Sequence, residues 1–173
     1  MTHPLVLALA ICAGAAVLEG VLAGRGVKQR FLELRVPRLS PPLRIWIAIG
    51  AAYYAICFVV LYRLLVLPPN GLRTAALSLI VMVLLANAFW NYLFFRLRSL
   101  RLSFVAGVLY SLAALGLLTL LFKLDRIAAW CLLPYVLYLS YANWWDMECC
   151  VRTNTQLRHE PLPSRGPLGM TLG

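Results

Sequence analysis

Five stretches of this chain, residues 4–24, 45–66, 74–95, 102–122 and 127–151, are long and apolar enough to cross a bilayer, which takes about 20 apolar residues as a helix. The third and fourth carry no charge. The first carries only Glu19, the second only Arg63 near its end, and the fifth is uncharged until Asp146 and Glu148. With 62% hydrophobic and 13% charged residues, against about a quarter charged in a soluble domain, most of the surface must face lipid. Alternation of period two is absent, so a β-barrel is not expected. Ala13-Gly14-Ala15-Ala16 would suit a signal-peptide cleavage site, but the segment lacks a basic start and runs apolar past that point, so it reads as a retained helix.

The links at 67–73, 96–101 and 123–126 are short and force antiparallel neighbours. Only residues 25–44 form a long connection, and Pro37, Pro41 and Pro42 suggest an ordered cap over one mouth of a bundle. The fold class is therefore all-α: five transmembrane helices, residues 1–154, with a long ordered loop between helices 1 and 2. Residues 155–173, rich in Pro and Gly, read as a disordered tail.

The net charge of +10 follows topology. Twelve Lys/Arg fall in the long link, the 96–101 link and the tail, and four (Arg63, Arg73, Lys123, Arg126) on the opposite side. The positive-inside rule places the long loop and C-terminus in the cytoplasm and the N-terminus outside. Basic residues then meet anionic lipid, and nucleic acid is not an expected partner. Cys12, Cys57, Cys131, Cys149 and Cys150 lack metal-site spacing and read as small packing residues, although Cys149-Cys150 would suit acylation. His3 and His159 lie outside the spans, which removes histidine ligation of a haem within the bundle. No nucleophile–base pair, P-loop or dinucleotide motif is present, so neither catalytic nor metal residues are assigned.

Polar and aromatic residues recur at helical spacing. Asn87, Trp90, Asn91 and Phe94 share one face of the third segment, and Tyr138, Ala142, Trp145 and Asp146 one face of the fifth. A carboxamide or carboxylate facing lipid costs several kcal/mol, roughly, so both stripes should point inward. Taken singly, these residues suit helix–helix hydrogen bonds and packing. Converging beneath a cap, they suit a cavity for a flat, apolar ligand. Glu19 and Asp146 fit either an ion pair with Arg96 and Arg98 or a polar rim that selects a ligand cation or relays a proton. Glu148 and Arg152 form an i,i+4 surface pair.

The run Asn87-Ala88-Phe89-Trp90-Asn91-Tyr92-Leu93-Phe94-Phe95-Arg96 resembles the third-helix signature of the TspO/translocator protein family, the peripheral benzodiazepine receptor family. Arg126-Ile127-Ala128-Ala129 leading to Leu133-Pro134-Tyr135 is similar to that family's fifth-helix start. Leu34, Pro37, Pro41 and Pro42 match its first loop, and Tyr54 the aromatic of its second helix. The resemblance implies a pocket for porphyrins and other hydrophobic aromatic molecules. It is lined by Tyr54, Asn87, Trp90, Tyr138, Ala142 and Trp145, and loop arginines would meet propionates. The chain departs from the family pattern where Arg44 replaces a Trp, with Trp46 nearby, where Gly50 replaces a second, where Tyr138 replaces the Trp of Pro-Tyr-x-x-Trp, and where Trp145-Asp146 replaces Leu-Asn. These departures weaken the expectation of light-dependent porphyrin breakdown and of sterol recognition.

The expected function is binding of a tetrapyrrole or other hydrophobic aromatic molecule, with no covalent cofactor, by a sensor or carrier. The expected ligand residues are Arg44, Trp46, Tyr54, Asn87, Trp90, Asn91, Phe94, Tyr138, Ala142, Trp145 and Asp146. The alternatives are a light-dependent porphyrin-degrading enzyme, a transporter, or an assembly subunit of a larger membrane complex. Small residues within 10–16 and 106–114 would also allow a homodimer.

Overall fold

A computed structural model describes residues 3–33 and 40–159, with side chains as far as Arg152. Among the described residues there are six α-helices and no strand: α1 (Pro4–Ala23), α2 (Val27–Glu33), α3 (Leu43–Val66), α4 (Gly71–Asn91), α5 (Leu100–Leu124) and α6 (Arg126–His159). A π-helical turn, Tyr92–Arg96, extends α4. Four stretches, Pro4–Ala23, Leu43–Val66, Gly71–Arg96 and Leu100–Leu124, are long and apolar enough to cross a membrane. The α6 helix is longer, but Pro134, four tyrosines and tryptophans between 135 and 144, and Asn143 dilute its apolar character.

Local chemistry sets the helix ends. Pro4 stands at the start of α1, where its missing N–H costs nothing. Gly24 ends that helix with φ +71°, a conformation glycine adopts without strain. Asn70 caps α4 by accepting the Arg73 amide at 2.7 Å. The Arg73 side chain reaches back to the Leu64 and Leu65 carbonyls at 2.7 and 3.2 Å, which places its positive charge at the negative end of α3. Asp125 joins α5 to α6. Its Oδ1 accepts the Ile127 and Ala128 amides at 2.9 and 3.2 Å, and its Oδ2 takes the Arg63 Nε–H at 2.6 Å. Burial pushes the Asp125 carboxyl up, but the Arg63 hydrogen bond, the two amides and the Arg63 charge outweigh it and hold the group below the usual carboxylate range.

The five long helices form a ring in which α1 touches α3 and α4, α4 touches α5, α5 touches α6, and α6 returns to α3. Val60, Leu61, Leu64, Ile80, Leu84, Leu117, Leu121 and Leu132 pack one end of the ring. Phe94, Trp145 and Cys149 form a second buried cluster, against which Phe31, Trp46, Trp90 and Phe95 lie. The outer surface is apolar, with Val17, Val21, Leu109, Leu112 and Leu137 each more than half exposed, as a helix facing hydrocarbon requires.

Two features differ from the sequence reading. The connection expected as a loop contains α2, because folding residues 27–33 into a helix delivers Phe31 to within 6.0–6.5 Å, ring to ring, of Trp46, Phe94, Phe95 and Trp145. The last helix continues to His159, beyond the boundary at 154 drawn from composition. Pro37 of the expected cap and residues 160–173 of the expected tail lie outside the described residues.

Candidate functional site

A cavity of about 400 Å³ opens inside the ring, walled by residues from α1, α2, α3, α4, α5 and α6. Its size falls within the range of small-molecule sites, about 300–1,000 Å³. Trp46, Trp90, Phe94, Tyr138 and Trp145 supply aromatic walls. Trp90 stacks on Phe94 with ring centres 5.0 Å apart and planes 13° apart, and Trp46 lies 5.1 Å from Trp145 and 6.2 Å from Tyr138.

Helical periodicity brings these rings together. Trp90 on α4 and Phe94 on the π-turn that extends it are four residues apart, while Tyr138, Ala142, Trp145 and Asp146 fall at i, i+4, i+7 and i+8 on α6. The π-turn carries both Phe94 and Phe95 onto the cavity wall. Cap and site meet where Trp145 Nε1–H donates to Ser40 Oγ at 3.0 Å. The α2 helix is fastened alongside. Arg30 donates to the Arg98 carbonyl at 3.1 Å, Arg98 pairs with Glu33 at 3.1 Å, and the Arg30 guanidinium lies 5.8 Å from the Phe94 ring centre. Burial, followed by the neighbouring Arg98 charge, pulls Arg30 below its usual pKa. Arg98 adopts φ +55°, a left-handed turn uncommon for a side chain of this size.

The polar groups on the walls are few and directed. Glu19 Oε2 accepts from Tyr54 Oη at 2.6 Å and Asn87 Nδ2 at 2.7 Å, tying α1 to α3 and α4. Asp146, 3% exposed, accepts the Trp90 Nε1–H on Oδ2 at 3.0 Å. Its Oδ1 is buried without a hydrogen-bond partner, as is Trp46 Nε1. Asn91 donates to the Asn87 carbonyl at 3.0 Å. Asn143 donates to Ser111 Oγ at 2.8 Å. Gly107 lets α5 approach this group closely: a Cβ there would sit 3.0 Å from Asn143 Oδ1 and 3.6 Å from Asp146 Oδ2.

Of the eleven residues expected at a ligand site, the cavity brings together Trp46, Tyr54, Asn87, Trp90, Asn91, Phe94, Tyr138, Ala142, Trp145 and Asp146. Arg44 is exposed in the first turn of α3 and is not on the wall. The ion pair expected between the buried acids and Arg96 or Arg98 does not form. Glu19 and Asp146 take neutral donors, Arg98 is turned toward Glu33, and Arg96 is exposed. The expected Glu148–Arg152 pair is present at 2.9 Å.

The TspO/MBR family model matches residues 7–151. The chain belongs to this family. It is accordingly an integral membrane protein, and the family match includes part or all of each of the five long helices. No curated protein matches it.

Sequence reasoning did not assign several wall residues. Tyr53, Tyr110 and Tyr135 form an aromatic end to the cavity, with the Tyr110 and Tyr135 hydroxyls 2.7 Å apart. A helical spacing count would have found Tyr135, three residues before Tyr138, and Asn143, which lies between recognised positions. Phe31 gave no such signal, since its place depends on a seven-residue helix inside a proline-containing link.

Proposed function

We propose that this membrane protein holds a flat, largely apolar aromatic molecule of tetrapyrrole type inside its helix ring, and acts as a sensor or carrier for it. The observation that carries this reading is the cavity itself, where five large rings from three helices surround a space with few polar groups. Such walls stack on a planar guest, and aromatic pairs add about 0.5–1.5 kcal/mol each beyond burial. No covalent attachment is invoked. Family membership supports the class of guest, and α6 serves as the fifth crossing.

The test is titration of protoporphyrin IX into the full chain in a non-ionic detergent, followed by tryptophan quenching and the shift of the porphyrin absorption band. Saturable binding near one guest per chain is expected. Quenching that rises linearly, as for partition into micelles, would remove the reading.

The distribution of basic residues supports an orientation with the N-terminus outside and α2 and the C-terminus in the cytoplasm. A reporter fused after Gly173 should be active only in the cytoplasm. Activity on the outer side reverses the orientation and moves the α2 face of the cavity outward.

A further inference from the structure

The cavity is acidic inside a basic protein. Its walls include Glu19 and Asp146 but no Lys, Arg or His among the described residues, although the chain carries a net +10. Both carboxylates lie within an aromatic shell. Glu19 is satisfied by two donors on one oxygen. Asp146 is different, because it is 3% exposed, bonded through Oδ2 alone, and left with Oδ1 buried and unpartnered. A buried acceptor without a donor loses its hydration uncompensated, more so when charged, so native interiors rarely keep one unless something else fills the bond.

We infer that the guest is an aromatic cation whose N–H donates to Asp146 Oδ1 while its ring system stacks within the Trp46, Trp90 and Trp145 walls. This rests on the reading of the cavity as a site for flat aromatic guests and, within it, ranks cationic guests above carboxylate-bearing ones such as protoporphyrin, which serves as the reference probe. A cationic nitrogen supplies the missing donor, compensates the buried carboxylate, and is attracted to the faces of the surrounding indoles. A guest carboxylate finds no cation on these walls: Arg44 is off them, and Arg30 is engaged with Arg98 and Glu33. Because the chain's overall charge favours anions, a preference for cations can arise only from the local acids.

The test compares two acridines of similar size and opposite charge, 9-aminoacridine and acridine-9-carboxylate, titrated against the full chain in a non-ionic detergent at neutral pH. The amine is expected to bind at least tenfold more tightly. Asp146→Asn, nearly isosteric, should cut that preference below threefold chiefly by weakening the amine, and Asp146→Glu should retain it. Equal affinities for the unmodified protein, or binding of protoporphyrin with neither acridine, overturn the inference and leave the cavity reading standing. Failure of the acridines and of protoporphyrin alike overturns both. A preference undiminished in Asp146→Asn overturns the role of Asp146. The comparison on the unmodified chain decides the charge preference even if a variant fails to fold.

Discussion

Trp145→Ala should lower the stability of the folded protein by about 3–5 kcal/mol, the scale for truncating a large buried aromatic. Trp145 is 2% exposed, and its ring centre lies 5.1, 5.8 and 6.2 Å from those of Trp46, Phe94 and Phe31. Its indole N–H also holds Ser40. Alanine would therefore open a void where the cap, α3, α4 and α6 meet. Because each long helix is held by its own backbone hydrogen bonds in lipid, the loss should appear in near-ultraviolet circular dichroism and the thermal midpoint, with little change in helix content. Trp145→Phe keeps a six-membered ring but loses the pyrrole part of the indole and with it the Ser40 bond, which predicts a smaller cost than alanine, about 1–3 kcal/mol. Equal midpoints for the alanine variant and the unmodified chain would show that this cluster does not hold the cap.

Trp90 tests the same wall in a different way. Trp90→Ala removes the ring stacked on Phe94 and, among the described residues, the only hydrogen-bond donor to Asp146. Trp90 is only partly buried, so the lost ring should cost less than the roughly 3–5 kcal/mol of a fully buried aromatic, with a further contribution from the buried Asp146 carboxyl losing its indole donor. Trp90→Phe separates the two effects, since it restores a ring but no N–H. Its cost should be about 1–3 kcal/mol and should largely vanish when Asp146 is replaced by Leu in the same chain. If Trp90→Phe costs as much with Asp146→Leu as without it, the two residues are not coupled. Protoporphyrin binding should weaken in Trp90→Ala by roughly tenfold, equivalent to about 1.4 kcal/mol, within the range for a lost stacking partner.

The membrane class and the all-helical fold were legible because hydrocarbon leaves little choice: uncharged 20-residue runs must be helices. The inward stripes were legible for the same reason. Asn87, Trp90 and Phe94 on one segment, and Tyr138, Trp145 and Asp146 on another, could not all face lipid, and periodicity placed each set on one side. Partner choice was not legible. Glu19 and Asp146 invited an ion pair with nearby arginines, yet their partners are Tyr54, Asn87 and Trp90, because only the angular order of helices around the ring decides which neighbours a buried acid meets. The link was misread in part, since α2 is too short for a helix to be stable alone and forms where Phe31 can insert among rings supplied by three distant segments.

The two halves of α1 are built differently. Only Ala8 and Cys12 of that helix are buried, both in its N-terminal half. Its other half forms part of the cavity wall through Ala16, Gly20 and Ala23, and beside the packing of α1 on α3, α4 and the π-turn its polar ties are the two hydrogen bonds of Glu19. A latch of two bonds, at about 1.5–3 kcal/mol for each one to a charged group, can release and close again without unfolding any helix. On the proposed reading of the cavity, this wall is where opening toward the bilayer would break two hydrogen bonds and no helix. Tyr54 and Asn87 hold the other side of that catch.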